Sequence, residues 1–244
     1  MNKTLVVIPT YNEIENIETI LEKTFALNLG LDILIVDDNS PDKTYEKVQE
    51  LIDTNKYANQ LYLLLRKAKE GLGKAYVAGF KYALEREYQN IIEMDADLSH
   101  DPKYLHIFLE KIKKNDLVIG SRYVAGGGSV HWSALRKLVS YGGGLYAKTI
   151  LGIDVNDVTG GYKCFRREVL ESINLDTLIT TGYAFQIEMN YRASIGGFRV
   201  KEIPIIFEDR VAGKSKMSKK IFAEALLKVV VLRYHRNKIL EGSK

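Results

Sequence analysis

The stretch Ile91-Ile92-Glu93-Met94-Asp95-Ala96-Asp97 decides how this chain of 244 residues is to be read. Its first four residues are of strand length and mostly apolar, and they run straight into two acids spaced by one residue. A short apolar run closed by polar residues reads as a buried strand. Outward on both sides the same unit recurs. Leu5-Val6-Val7-Ile8 ends in Pro9-Thr10-Tyr11-Asn12-Glu13, and Ile33-Leu34-Ile35-Val36 ends in Asp37-Asp38-Asn39-Ser40. Leu61 to Leu65 reads as a further strand, and Leu117-Val118-Ile119-Gly120 ends in Ser121-Arg122-Tyr123. Between these runs the apolar residues recur at helical spacing: Ile14, Ile17, Leu21 and Phe25, then Val48, Leu51 and Ile52, then Tyr76, Val77, Phe80 and Leu84, then Leu105, Phe108, Leu109 and Ile112. Ser40-Pro41 predicts the start of the second helix with proline at its first position. Pro102 opens the fourth, with Ser99 or Asp101 as its cap. Strands alternating with helices imply an α/β fold, a mostly parallel sheet with helices on both faces.

After Gly120 the alternation fades. Gly126-Gly127-Gly128 marks a loop, and helical patterns follow near Trp132 to Thr149 and near Phe185 to Ala193. Val200 to Phe207 reads as a strand interrupted by Pro204, which places it at a sheet edge. Ser218 to Arg236 reads as an amphipathic helix, so the expected division is a body over 1–217 and a basic helical tail over 218–244.

Composition excludes several classes. A net charge of +4 gives no reason to expect a nucleic-acid partner. The single cysteine, Cys164, cannot staple the fold and reads as a buried apolar residue. The N-terminus lacks the apolar region of a signal peptide, and no run approaches the ~18 apolar residues that span a bilayer. The expectation is a soluble or peripheral protein.

In open parallel sheets ligands bind beyond the carboxyl ends of the strands, where the polar residues of this sequence concentrate. Asp95 and Asp97, two apart on an extended segment, face one side. Adjacent carboxylates repel unless a cation joins them, and Mg²⁺ is commonly held by one or two carboxylates plus substrate phosphates. The plainer reading of these acids is loop residues or helix caps. One of Asp37 and Asp38 suits a ribose hydroxyl or a base edge, or else a cap. Tyr11 suits stacking on a base, and Arg122 a bidentate clamp on phosphate or a surface ion pair. Arg136 and Lys137 follow the glycine loop. Phe207 to Lys216 is basic and small enough to close as a lid over an anionic substrate, or to be a solvated hinge. Metal, strand-end acids and cations beyond them describe a site for a diphosphate.

Taken together these residues resemble glycosyltransferase family 2, whose GT-A fold is a Rossmann-like nucleotide-diphospho-sugar transferase sheet, and within it the dolichyl-phosphate (polyprenol-phosphate) mannosyltransferases. The resemblance spans Val7-Ile8-Pro9-Thr10-Tyr11-Asn12-Glu13 to Lys216, through Val36-Asp37-Asp38-Asn39-Ser40-Pro41-Asp42, Asp95-Ala96-Asp97-Leu98-Ser99-His100, Gly120-Ser121-Arg122-Tyr123, and Asp209-Arg210 with Gly213-Lys214-Ser215-Lys216. It implies transfer of mannose, with inversion, from GDP-mannose to a dolichyl or polyprenyl monophosphate, with Mg²⁺ or Mn²⁺ as cofactor. It implies that Pro9, Tyr11, Glu13, Val36 and Asp38 hold the nucleoside, that Asp95, Ala96 and Asp97 meet the diphosphate and metal, and that Arg122, Arg210 and Lys216 contact donor phosphates. Arg136 and Ser140 are placed near the acceptor phosphate. Asp95, Asp97 and Arg122 are the expected catalytic residues, with Asp95, Asp97 and Ser99 as the metal set. Ser99 stands where some members carry a glutamine ligand. The same resemblance implies a peripheral enzyme at the cytoplasmic face of a membrane, with small membrane subunits among its partners. The basic tail helix and Trp132 are the expected contacts with the membrane surface, or, for the helix, a face packed on the core. Other readings are a relative using UDP-glucose or a glycan acceptor, and a non-catalytic receiver-like module.

Overall fold

The structure, a computed structural model, describes residues 3–180, 182–208 and 219–242. Its first half repeats one unit. The strands β1 (Thr4–Thr10), β2 (Asp32–Asp37), β3 (Leu61–Leu65) and β4 (Asn90–Glu93) alternate with the helices α1 (Ile17–Phe25), α2 (Thr44–Asp53) and α3 (Leu72–Leu84). A 3₁₀ turn at Pro102–Tyr104 leads into α4 (Leu105–Lys111), and β5 (Leu117–Ser121) follows. Asp101 is the residue that caps this turn, its carboxylate accepting from the Lys103 amide at 2.9 Å. The second helix starts later than Ser40-Pro41 predicts. Lys43 takes a left-handed φ of 66°, and α2 begins at Thr44, whose amide and hydroxyl both donate to Asp42. Asp37 and Asn12 use the residues before it, so the chain must turn once more before the helix forms.

The remaining elements are β6 (Gly128–Ser129), α5 (Ala134–Leu151), β7 (Lys163–Arg166), α6 (Arg167–Ser172), α7 (Tyr183–Ile195), β8 (Val200–Pro204), β9 (Ile206–Phe207), α8 (Lys219–Tyr234) and α9 (Arg236–Glu241). The main sheet runs β3-β2-β1-β4-β7-β5-β8. All its pairings are parallel except those of β7, which lies antiparallel between β4 and β5. β8 is the edge strand that Pro204 requires, and β9 leaves the sheet to pair with β6.

Alternation along the strands separates two cores. Leu5, Val7, Leu34, Val36 and Ile91 pack with Tyr76, Phe80 and Phe185 of α3 and α7 on one face. Val6, Ile8, Ile33, Ile35, Ile92 and Met94 pack with Ile17, Leu21, Val48 and Phe108 on the other. Helix α3 comes so close to the sheet that a Cβ on Gly79 would lie 2.3 Å from Val7 Cγ1, so only glycine fits there. The tail helix packs on the body through Val229 and Leu232, both buried. Strand order reverses at β1, with β2 on one side and β4 on the other. The crevice beyond the carboxyl ends of β1, β2 and β4 is therefore where a ligand is expected.

Candidate active site

A cavity of about 340 Å³ lies at that crevice. Pro9, Thr10, Tyr11 and Glu13 reach it from the end of β1, Asp38 from the end of β2, and Asp95, Ala96 and Asp97 from the end of β4. Lys69, Gly71, Leu72 and Ala75 line it from the loop into α3, Gly182 and Ala184 from the start of α7, and Glu224 and Ala225 from α8.

The strand-end acids divide by function. Asp37 is fully buried and serves the fold. It accepts from the Thr10 hydroxyl at 2.6 Å and from the Ser40 amide and hydroxyl at 2.8 and 2.7 Å, which ties the end of β1 to the end of β2. The next residue points the other way, so Asp38 faces the cavity. Arg66 pairs with it at 2.5 Å. Burial drives the Asp38 carboxyl above the usual carboxylate range, and the Arg66 guanidinium opposes that.

Asp95 and Asp97 are each held by a donor. The Tyr76 hydroxyl, on α3, donates to Asp95 Oδ1 at 2.8 Å. Burial and the nearby Asp95 push that phenol well above its ordinary range, so it stays a donor. The Asp95 amide donates to His100 Nδ1 at 2.9 Å, and the His100 ring stacks on Tyr162. Asp97 Oδ1 accepts from the Ser99 amide at 3.1 Å and from the Ser99 hydroxyl at 2.5 Å. That tight turn puts Leu98 at φ 64°, a left-handed conformation uncommon for a bulky residue. Ser99 is itself buried and off the cavity wall, so its hydroxyl acts on Asp97.

Beneath the acids lies a buried ion pair absent from the sequence reading. Glu93 and Lys163 face each other across the β4–β7 ladder, both wholly buried, with Nζ 3.8 Å from Oε2. Burial pushes Glu93 up to about 7 and Lys163 down to about 8, and each resists the other's shift.

The cations expected around the diphosphate are not all on the cavity. Arg122 spends Nε and Nη2 on Asp157, at 2.7 and 2.6 Å, and Nη2 also donates to Thr159 at 2.8 Å. Burial works against charge on Asp157, yet the guanidinium outweighs it and holds the carboxyl below its usual range. Arg122 is thus committed to an ion pair off the cavity wall. Val36, expected at the nucleoside, turns its side chain into the core against Val7 and Gly79. Arg136 stacks on Trp132, its guanidinium carbon 4.1 Å from the ring centroid, and Ser140 accepts from the Tyr123 hydroxyl at 2.7 Å. These two form a second cluster with Arg122 and Tyr123. Arg210 and Lys216 lie outside the described residues. Conversely, the sequence reading missed Lys69, whose ammonium sits 3.7 Å above the Tyr11 ring at the cavity. The only signal for it was the cationic run Arg66-Lys67-Ala68-Lys69 at a strand end.

Two carboxylates, fixed by donors and sharing a cavity wall, suit a small divalent cation that takes its remaining ligands from a substrate diphosphate. Among the described residues no group of three or more histidine, cysteine or acidic side chains forms a closed metal cage.

Comparison with known proteins follows the same lines. The family model described as glycosyl transferase family 2 matches residues 5–173. The chain is 43% identical to the undecaprenyl-phosphate mannosyltransferase of Micrococcus luteus, over 93% of this chain and 92% of that protein. It is 43% identical to the polyprenol monophosphomannose synthase of Mycolicibacterium smegmatis, over 93% of this chain and 85% of the relative. Among solved structures, mannosyl-3-phosphoglycerate synthase of Rubrobacter xylanophilus shares the fold with a TM-score of 0.67 at 18% identity, covering 98% of this chain and 76% of its own. Glucosyl-3-phosphoglycerate synthase of Mycobacterium tuberculosis, crystallised with Mn²⁺ and UDP, gives 0.66 at 17% identity, covering 96% and 79%.

Proposed function

Because the chain belongs to glycosyl transferase family 2, we propose that it transfers mannose from GDP-mannose to a polyprenyl or dolichyl monophosphate, with inversion at the anomeric carbon. The observation that carries this reading is the meeting of Asp38, Asp95 and Asp97 on one cavity wall, in a chain 43% identical to two enzymes named for polyprenyl-phosphate mannosylation. Tyr11, Glu13 and Asp38 hold the nucleoside end of the donor. Asp95 and Asp97 hold Mg²⁺ or Mn²⁺, which when bound neutralises charge on the departing diphosphate.

The nucleophile needs little help. A phosphate monoester has a second pKa near ~6, so it is largely a dianion at neutral pH. The protein's tasks are positioning, separating two anionic substrates, and stabilising the leaving group. Arg136 and Ser140 take the acceptor phosphate, and Arg122 stands at their side, aligned by Asp157. Arg210 and Lys216 supply further charge to the donor phosphates.

The acceptor's chain lies in a bilayer, and the face next to its site suits that. Leu135, Leu138 and Leu145 lie at one-face spacing on α5 and are 70%, 68% and 52% exposed. Leu227, Val230 and Tyr234 form a similar exposed row on α8, which packs against α5. Arg136 and Lys137 stand beside these leucines in the sequence of α5, and Arg233 beside Tyr234 in that of α8. Such a face docks on an anionic membrane surface. Among the described residues no helix is long and apolar enough to cross a membrane.

The test offers radiolabelled GDP-mannose with polyprenyl phosphate, with and without Mg²⁺ or Mn²⁺, beside UDP-glucose as a rival donor. Lipid-linked mannose that needs metal is the expected product. Transfer only from UDP-glucose would overturn the donor, and transfer undiminished by chelation would overturn the metal.

A further inference from the structure

Trp132 is the one tryptophan of the chain, and nothing in the reaction scheme above uses it. It precedes α5 by two residues, and its ring collects charge. The Arg136 guanidinium lies 4.1 Å from its centroid and that of Arg122 5.3 Å, with Phe207 edge-on at 5.6 Å. Guanidinium groups stack favourably on indole, the strongest of the aromatic faces for cations. Arg136 and Ser140 are four residues apart on α5 and share one side of its start, and Trp132, just ahead of the Ser133 cap, meets that side through its contact with Arg136. The indole Nε1–H is buried and has no hydrogen-bond partner among the described residues. An unpaired buried donor is costly, and a bound ligand that supplies an acceptor relieves that cost. The cluster also touches the donor side. Phe207 packs edge-on to His100, and His100 accepts from the Asp95 amide.

We propose that Trp132 is a positioning residue for the acceptor phosphate. Its ring holds the Arg136 guanidinium for that anion, beside the Asp157-paired Arg122, and its indole N–H donates to the anion once it is bound. This rests on the transfer reaction proposed above and adds to it the element that organises the acceptor's cations. Lipid contact, which the sequence alone suggests for Trp132, is a poorer use of a ring already contacted by two guanidiniums.

A single tryptophan makes its fluorescence specific to this site. Wild-type protein is titrated with a short-chain isoprenyl monophosphate, with the matching isoprenol and inorganic phosphate as controls. A saturable change in emission with the monophosphate, and none with the isoprenol, is expected. In parallel, Trp132→Leu removes both platform and donor, and Trp132→Phe keeps a weaker platform. Acceptor KM should rise about tenfold or more in Trp132→Leu and by about threefold in Trp132→Phe, with donor KM within twofold of wild type. Thermal unfolding of both variants identifies any that fail to fold, and the titration of the unmodified protein stands independently of them. Acceptor binding seen calorimetrically without any change in emission would overturn the proposal and leave the transfer reaction standing. So would acceptor KM values unchanged in Trp132→Leu. Absence of transfer and of acceptor binding in the wild type would instead overturn the reaction itself.

Discussion

Lys163→Met should destabilise the protein in a way that depends on pH. Glu93 and Lys163 are both wholly buried, 3.8 Å apart, on neighbouring strands of the central sheet. Lys163 also donates to the Gln186 backbone carbonyl at 3.2 Å and to the Gln186 side-chain carbonyl. At that separation, and at an effective dielectric of ~20, the two charges attract by about 4 kcal/mol. At pH 5 the native Glu93 is neutral, since burial has pushed it up to about 7. The variant then loses a desolvated ammonium together with its bonds to Gln186, two effects of opposite sign, and its stability should stay within about 1 kcal/mol of wild type. Between 4.5 and 7 the native state of wild type holds a proton that the unfolded chain has released, so stability falls as pH rises. In wild type that fall ends near 7, where Glu93 ionises against Lys163. In the variant the carboxyl has no counter-charge and keeps its proton above 8, so the fall continues at about 1.4 kcal/mol per pH unit. The deficit at pH 8 should therefore exceed that at pH 5 by about 1–2 kcal/mol. Urea unfolding followed by circular dichroism at pH 5, 6, 7 and 8 measures it, and adding Glu93→Gln should erase the dependence. An equal loss at every pH would refute the reasoning, because Glu93 would then ionise without Lys163.

Three further outcomes are expected. Asp97→Ala should lower transfer by at least about a hundredfold, on the scale of losing leaving-group stabilisation, and weaken Mn²⁺ binding measured by electron paramagnetic resonance in the presence of GDP; unchanged Mn²⁺ binding would remove Asp97 from the metal set. Asp157→Ala strands the Arg122 guanidinium, which is 11% exposed in its side chain, and should cost about 3–5 kcal/mol in urea unfolding; a loss below about 1 kcal/mol would mean the pair is solvated. Leu135→Lys with Leu138→Lys should release the protein from anionic vesicles in a sedimentation assay, since each leucine contributes about 1.5–3 kcal/mol when buried in lipid, while transfer to a short-chain soluble acceptor persists; retained vesicle binding would move the docking face elsewhere.

The sheet's first half was legible because its buried runs are mostly apolar and end abruptly in polar residues. β1, β2 and β4 announce both their burial and their ligand ends in this way. β7 did not, because Lys163-Cys164-Phe165-Arg166 is short and carries a charge at each end. A buried lysine looks like a surface residue until its partner is known, and that partner, Glu93, lies across a strand inserted antiparallel. Asp37 and Asp38 were legible as a pair but not as individuals. Which of the two serves the fold depends on Thr10 and Ser40 lying within hydrogen-bond reach. Arg122 read as a phosphate clamp because its partner, Asp157, is 35 residues away in sequence. Lys69 was hidden for the same reason, since only the fold brings it over Tyr11.

The acids themselves argue for the kind of catalysis this crevice can perform. Tyr76 and Ser99 each donate a hydrogen bond to a carboxylate of the triplet, which fixes Asp95 and Asp97 as acceptors rather than leaving them to abstract protons. The one imidazole at the triplet, that of His100, uses Nδ1 to accept from the Asp95 amide and is buried against Tyr162, so it is positioned as a prop rather than as a base. What the triplet itself contributes is negative charge held in place, which a metal cation suits. That is the arrangement expected when the nucleophile arrives already ionised and the work lies in receiving the diphosphate that leaves.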